Sequence, residues 1–275
     1  MVKKIPWELV AMLLTDGWVS QANGTWEIGF ANKSEKFREL FKKIVRENFK
    51  IKKFKERKTK AGIPTVSFFS KEIGDNLRSL VNTFRTKPCE SWPACPLIKM
   101  KNININRPLP CVICKQTEAK GIKFPTIMLK ADDIPFSKIR KFLRIVFTAD
   151  GFVSIITRKS GRIQCEVGLK CFNPTLKLLF SSLLNVLNIP HTIDEEGIKI
   201  RKKKALIEFW KKIGFINDVK IGKDSRKFTG IPKQILLNFG IQRLLVRQAG
   251  AKPSQWAYAR RGDPECPSSA GAVAL

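Results

Sequence analysis

The sequence predicts an α+β protein made of two similar halves, each running helix, two strands, helix, two strands, helix. Three observations carry that reading. A nine-residue pattern occurs twice, as Leu9-Val10-Ala11-Met12-Leu13-Leu14-Thr15-Asp16-Gly17 and as Leu143-Arg144-Ile145-Val146-Phe147-Thr148-Ala149-Asp150-Gly151. In each copy, apolar residues at helical spacing end in aspartate and glycine. The same order of alternating and amphipathic segments follows both copies, an agreement that chance repetition rarely produces. Hydrophobic residues make up 43% of the 275-residue chain, 19 Phe among them, which is enough for a real core in each half.

After the first motif, Trp18-Val19-Ser20 opens a strand, and Trp26, Ile28 and Phe30 alternate with Glu27, Gly29 and Ala31 in a second. Asn23-Gly24 between them is the signature of a tight hairpin turn. Ser34 supplies an N-cap for an amphipathic helix with Phe37, Leu40, Phe41, Ile44, Val45 and Phe49 on one face. A basic strand from Lys50 to about Lys58, a turn at Ala61-Gly62, a strand from Thr65 to Ser70 and a helix carrying Ile73, Leu77, Leu80, Val81 and Phe84 complete the first unit. The second repeats the series: a hairpin of Phe152–Thr157 and Ile163–Lys170 around Ser160-Gly161, then a helix capped by Asn173-Pro174 with Leu176, Leu179, Phe180, Leu183, Leu184 and Leu187. A strand from His191, a turn near Glu196-Gly197, Ile198–Ile200 and a helix with Leu206, Phe209, Trp210 and Ile213 follow. The expected organisation is therefore 1–85 as the first half, 86–133 as a Pro- and Cys-containing linker, 134–216 as the second half and 217–275 as a helical extension with a disordered tail. Ile235, Leu236, Phe239, Leu244 and Leu245 mark the extension's helix.

The charge points to a partner. With 52 Lys and Arg against 23 Asp and Glu, the chain carries a formal +29, a surface suited to releasing counterions from a phosphate backbone. No signal peptide and no apolar stretch long enough for a membrane span is found, so the expectation is a soluble protein inside the cell, cytoplasmic or organellar, with no membrane partner. His191 is the only histidine and Tyr258 the only tyrosine. Nucleases that need histidine ligands with a histidine base, or a tyrosine pair, are thereby excluded, and His191 reads as a surface or packing residue.

The motif glycine can take the left-handed conformation that closes a helix, leaving the aspartate at the helix end. Two such helices packed together bring Asp16 and Asp150 into one place. Paired carboxylates in a basic protein suit divalent-ion chemistry on phosphodiesters. A hard ion such as Mg²⁺ needs few protein ligands, so two aspartates suffice.

With both motifs, the Asp-Gly endings and the order of elements after each, the chain resembles a monomeric, two-motif LAGLIDADG homing endonuclease over about residues 5–216. The resemblance implies two pseudo-symmetric αββαββα halves packed through the motif helices, with curved sheets straddling double-stranded DNA. It implies Mg²⁺ or Mn²⁺ at Asp16 and Asp150 beside Gly17 and Gly151, and hydrolysis of both strands. It places second-sphere residues at Asn32, Lys33 and Lys170, and catalytic lysines at the end of the fourth strand, Lys71 in one half and Lys199, or Arg201, in the other. Alternation along the strands adds DNA-facing residues: Arg162, Gln164, Glu166 and Lys170 in one half, and Glu27 with the basic run containing Lys52, Lys53, Lys55 and Arg57 in the other. The motif departs from the family at its third position, Ala11 against Ile145, and at its sixth, Leu14 and Thr148 in place of an acid. The same fold implies an alternative, an intron maturase that binds its own intron RNA and assists splicing.

Cys89, Cys95, Cys111 and Cys114 lie within the linker, but only Cys111-Val112-Ile113-Cys114 has zinc-site spacing. Zinc, a disulfide and free thiols remain open from spacing alone.

Overall fold

The computed structural model describes residues 4–84, 86, 124–157, 163–222 and 228–246. Helix α1 (Trp7–Thr15) is buried at every position except Glu8, as expected of a helix apolar all round. It packs against α4 (Phe136–Asp150), which buries Ile139, Phe142, Leu143, Ile145, Val146, Phe147 and Thr148. Trp7 meets Phe142 edge-on, with ring centroids 6.5 Å apart.

The first sheet is antiparallel, in the order β1 (Gly17–Ala22), β2 (Thr25–Ala31), β4 (Pro64–Phe69), β3 (Lys55–Lys58). Asn23 and Gly24 turn the hairpin with φ of 50° and 75°, the left-handed pair whose twist matches the strands. Helix α2 (Glu35–Phe49) is capped by the Ser34 hydroxyl, and α3 (Lys71–Leu80) by that of Ser70. The second half repeats the order as β5 (Gly151–Thr157), β6 (Ile163–Lys170), β8 (Gly197–Ile200) and β7 (Thr192–Ile193). Asn173 caps α5 (Pro174–Val186), and α6 (Lys203–Lys212) and α7 (Lys233–Val246) close the described chain.

Strand register makes the duplication explicit. Gly17 pairs with Phe30 as Gly151 does with Leu169, and Ser20 pairs with Glu27 as Ser154 does with Glu166. Counting onward, Asn32 is the counterpart of Cys171, and Ser34 of Asn173. Backbone bonds agree: Asn32 N donates to Pro64 O at 3.1 Å and Cys171 N to Glu196 O at 2.9 Å.

Two sequence expectations change. The basic strand begins at Lys55, five residues later than expected, because Lys50 closes α2 in the left-handed region (φ 62°) and Phe54 leaves the ladder to pack on Phe68. Helix α3 stops at Leu80, although Val81 and Phe84 are buried as expected. In α7 the outward face carries Ile235 and Phe239, and the helix packs through Leu236, Leu237 and Ile241. A Cβ at Gly240 would lie 2.7 Å from Cys165 Sγ, so this glycine sets how closely α7 meets the second sheet.

Ala11 is fully buried in the α1–α4 seam, and its carbonyl accepts from Thr15 Oγ1 at 3.1 Å. Ala11→Leu is expected to overpack the seam by about 1 to 3 kcal/mol, and Ile145→Val to cost about 0.5 to 1.5 kcal/mol. Urea unfolding checks both. A neutral Ala11→Leu would mean the seam has room that this packing lacks.

Candidate active site

Asp16 follows the last residue of α1, and Asp150 ends α4. Both line one cavity of about 200 Å³ together with Leu14, Lys170, Cys171 and Asn173. The side-by-side helices thus bring the two motif carboxylates to a common space.

The glycines after them work differently from the expected left-handed cap, since neither has positive φ. Gly151 has φ −84° and ψ 163°, extended backbone that any residue adopts. Their necessity is steric. A Cβ on Gly17 would stand 2.6 Å from Leu13 Cα and 2.9 Å from Gly29 O, and one on Gly151 would stand 2.3 Å from Phe147 O. Glycine lets each chain turn from helix into sheet within one residue, and so delivers the aspartate to the sheet surface.

Asn32 Nδ2 donates to Asp16 Oδ2 at 2.7 Å, and its Oδ1 accepts from Ser34 N at 2.8 Å, which orients the amide. Lys33, next in the chain, is exposed. In the second half the counterpart of Asn32 is the buried Cys171. Burial and the Asp150 charge push this thiol up to about 12, and its Sγ donates to Asn173 O at 3.6 Å.

The two expected catalytic lysines are not brought to this cavity. Ser70 N donates to Trp26 O, which puts Lys71 at the far end of β2. Trp26 is five residues from Ala31, or about 17 Å along the strand. Lys199 lies opposite Gly168 and is tied to Asp194 Oδ2 at 2.5 Å and Glu196 Oε2 at 3.5 Å, partners that raise its pKa.

Alternation places Ile28, Phe30, Cys165, Val167, Leu169, Ile198 and Ile200 on the core faces of the two sheets. The opposite faces carry Glu27, Lys55 and Arg57 in one half and Gln164, Glu166, Lys170, Lys199 and Arg201 in the other. On these faces two ion pairs match. Arg57 donates to Glu27, which also accepts from Ser67 at 2.8 Å, and Arg201 donates to Glu166. Glu27 and Glu166 are counterparts and are 15% and 14% exposed, while their arginines are 45% and 46% exposed. Lys52 and Lys53 are exposed just ahead of β3. Arg162 and the linker cysteines Cys89, Cys95, Cys111 and Cys114 lie outside the described residues. Among those described, no cluster of three or more His, Cys, Asp or Glu side chains converges. His191 is a packing residue whose ring bonds Ser181 Oγ at 2.7 Å and Ile189 O at 2.9 Å.

One residue at the site escaped the sequence reading. Lys233, at the start of α7, is buried against the end of α4, where its Nζ donates to Thr148 O and Gly151 O, both at 2.7 Å. Burial pushes it down to about 8, against the opposing pull of the Asp150 and Asp16 carboxylates. A cation in the first turn of a helix opposes the macrodipole, and that is the only sequence signal that marked it.

Burial also pushes Cys165 up to about 11. Because the nucleophile is the thiolate, iodoacetamide at pH 8 should leave Cys165 and Cys171 unlabelled in the folded protein and label both in urea, as read by peptide mass spectrometry. The folded thiols hold their protons beyond the ordinary value near 8.5. Their contribution to stability is therefore present below about pH 8.5 and is lost as pH rises toward 11.

No protein-family model matches the chain, and no curated protein does. Among solved structures it is similar to I-DmoI in complex with DNA and Mn, at 13% identity over 75% of this chain and 94% of that one, with a TM-score of 0.43. It is similar to the LAGLIDADG homing endonuclease I-LtrWI bound to target DNA, at 12% identity over 89% and 90%, with a TM-score of 0.44. A third is the homing endonuclease I-WcaI bound to its DNA recognition sequence, at 14% identity over 75% and 78%, with a TM-score of 0.37.

Proposed function

We propose that this chain is a sequence-specific DNA endonuclease that hydrolyses phosphodiester bonds in both strands with the help of a divalent ion held by Asp16 and Asp150. The observation that carries the reading is the meeting of two carboxylates at paired helix ends, on one cavity, in a chain of net charge +29. The donor set fits a hard ion: two carboxylates supply oxygen ligands, and no soft ligand cluster competes among the described residues. Bound there, Mg²⁺ or Mn²⁺ would neutralise the phosphoryl oxygens and lower the pKa of the attacking water.

The chain's own groups do the rest. Asn32 holds the Asp16 carboxylate by donating to Oδ2. Lys170, on the cavity wall, would offer its ammonium to the scissile phosphate. Lysines on the sheet faces would bind backbone phosphates and set the register of the duplex. Arg57 and Arg201 point guanidinium forks outward, each held by a mostly covered glutamate. Such forks suit the O6 and N7 acceptors of guanine, so guanine is the expected base at one position in each half-site.

The test is cleavage of a randomised plasmid library with Mg²⁺ and with EDTA. Discrete double-strand cuts that require the ion are the expected result. Cuts that persist in EDTA, or no cuts under any divalent ion, would remove the proposal.

A further inference from the structure

The two halves share the motif aspartate and the glycine after it, and they differ where each aspartate is held. In the first half a side chain does it: Asn32 bonds the Asp16 carboxylate directly. In the second half Cys171 stands in that place, and its thiol turns to Asn173 O. The second half has something the first lacks among the described residues, an ammonium driven into the end of its motif helix. Lys233 Nζ reaches the carbonyls of Thr148, Ala149 and Gly151 at 2.7, 3.5 and 2.7 Å. These carbonyls lie on both sides of Asp150. The two short bonds hold the chain one peptide unit to either side of those that flank Asp150, and the longer one reaches the flanking carbonyl of Ala149, so the backbone from which the Asp150 side chain departs is held from both sides.

The surroundings hold Lys233 to this task. Its own N–H donates to Val219 O at 3.1 Å, and the next residue, Gln234, accepts from Phe215 N at 2.6 Å. Ile216 N donates to Thr148 Oγ1 at 3.0 Å, so residues 215–219 fasten the start of α7 to the end of α4. The charged groups facing the ammonium are Asp150 and Asp16 themselves. A lysine buried at a helix C-terminus answers the partial negative charge of the last carbonyls, and an alkyl chain without a cation there would leave those carbonyls without their donor.

We propose that Lys233 is the positioning residue for Asp150, performing through the backbone of α4 what Asn32 performs on the carboxylate of Asp16. The inference rests on the endonuclease reading of the site. The two halves of the active site are then aligned by unrelated devices, and damage to one device should fall unevenly on the two DNA strands.

The test uses the full chain and a labelled duplex carrying a site that the wild-type protein cuts. Lys233→Met keeps the length of the side chain and removes its charge and donors. It is expected to slow one strand's cut about ten to a hundredfold relative to the other, so that nicked duplex accumulates, with Ca²⁺-supported duplex binding close to wild type. Adding Cys171→Asn to Lys233→Met installs the first half's device in the second, and should bring the strand ratio back toward wild type. In the metal-free, DNA-free protein, the ¹³C signal of the Asp150 carboxylate should move more than that of Asp16 in Lys233→Met, and the excess should be reduced in the double variant. Equal loss on both strands with no rescue by Cys171→Asn would overturn the proposal, since a residue that only stabilises the fold has no strand preference. Lys233→Gln, which keeps a donor, should show the same bias to a smaller degree. Failure of both variants to fold would likewise make Lys233 a requirement of the fold and not of one carboxylate. If the wild type cuts no duplex, the endonuclease reading falls, and the carboxylate signals alone decide the role of Lys233.

Discussion

Asp16→Asn and Asp150→Asn are each expected to reduce cleavage by more than about a hundredfold while leaving affinity for the duplex close to wild type. Loss of a group that merely orients a metal ligand costs about 10- to 100-fold, and removal of a ligand itself should exceed that. Asparagine has the shape of aspartate. At position 16 its amide can turn its oxygen toward Asn32 Nδ2 and keep the 2.7 Å bond seen now, so the fold has little reason to change. The two positions should still differ in one respect. Asp150 is the larger of the two carboxylate influences on buried Lys233, so Asp150→Asn should lower melting more than Asp16→Asn. Gel cleavage with Mn²⁺, filter binding with Ca²⁺ and thermal melts separate these outcomes. Either variant cutting at nearly the wild-type rate would remove that aspartate from the site.

The second large effect concerns salt. Lys33, Lys52, Lys53, Lys55, Lys58 and Lys170 lie on or beside the sheet faces, exposed or half-exposed. If each neutralises one phosphate, affinity should fall about a thousandfold between 50 and 200 mM salt, with a slope of about −0.9 per contact. Lys53→Gln should reduce that slope by about 0.9. Lys42→Gln should not, because Lys42 is held by Glu39 and Glu56 and its side chain is only 11% exposed. Binding measured across a salt series gives both slopes. A slope that ignores Lys53 would place the duplex elsewhere on the surface.

What the sequence made legible follows local rules. The motif helices, the Asn23-Gly24 turn, the Ser34 and Asn173 caps and the alternation in β2 and β6 each depend on residues within a few positions of one another. What it concealed is long-range. The need for glycine at 17 comes from Leu13 together with the carbonyl of Gly29, which reaches it only when β2 folds back. The pairing of Glu166 with Arg201 joins residues 35 apart, and Lys233 meets Thr148 across 85. Register puts Lys71 at the far end of β2 from Asp16, whereas Lys199, opposite Gly168, is held by acidic partners of its own. Hydrophobic pattern likewise located α7 without fixing its face, because Ile235 and Phe239 are as apolar as the neighbours that reach the sheet.

The strand order β1-β2-β4-β3 leaves β3 at an outer boundary of the first sheet. Its four residues, Lys55, Glu56, Arg57 and Lys58, are all charged and all exposed. The corresponding boundary of the second sheet, β7, is only two residues long. Unpaired strand backbone invites another chain to add itself, and charge or brevity is how folded proteins discourage this. The lysines proposed to draw a polyanion to the first sheet would thus also keep one molecule from templating aggregation of the next. Neutralising Lys55, Arg57 and Lys58 together to improve specificity would therefore expose the protein to edge-to-edge self-association at the concentrations used to purify it.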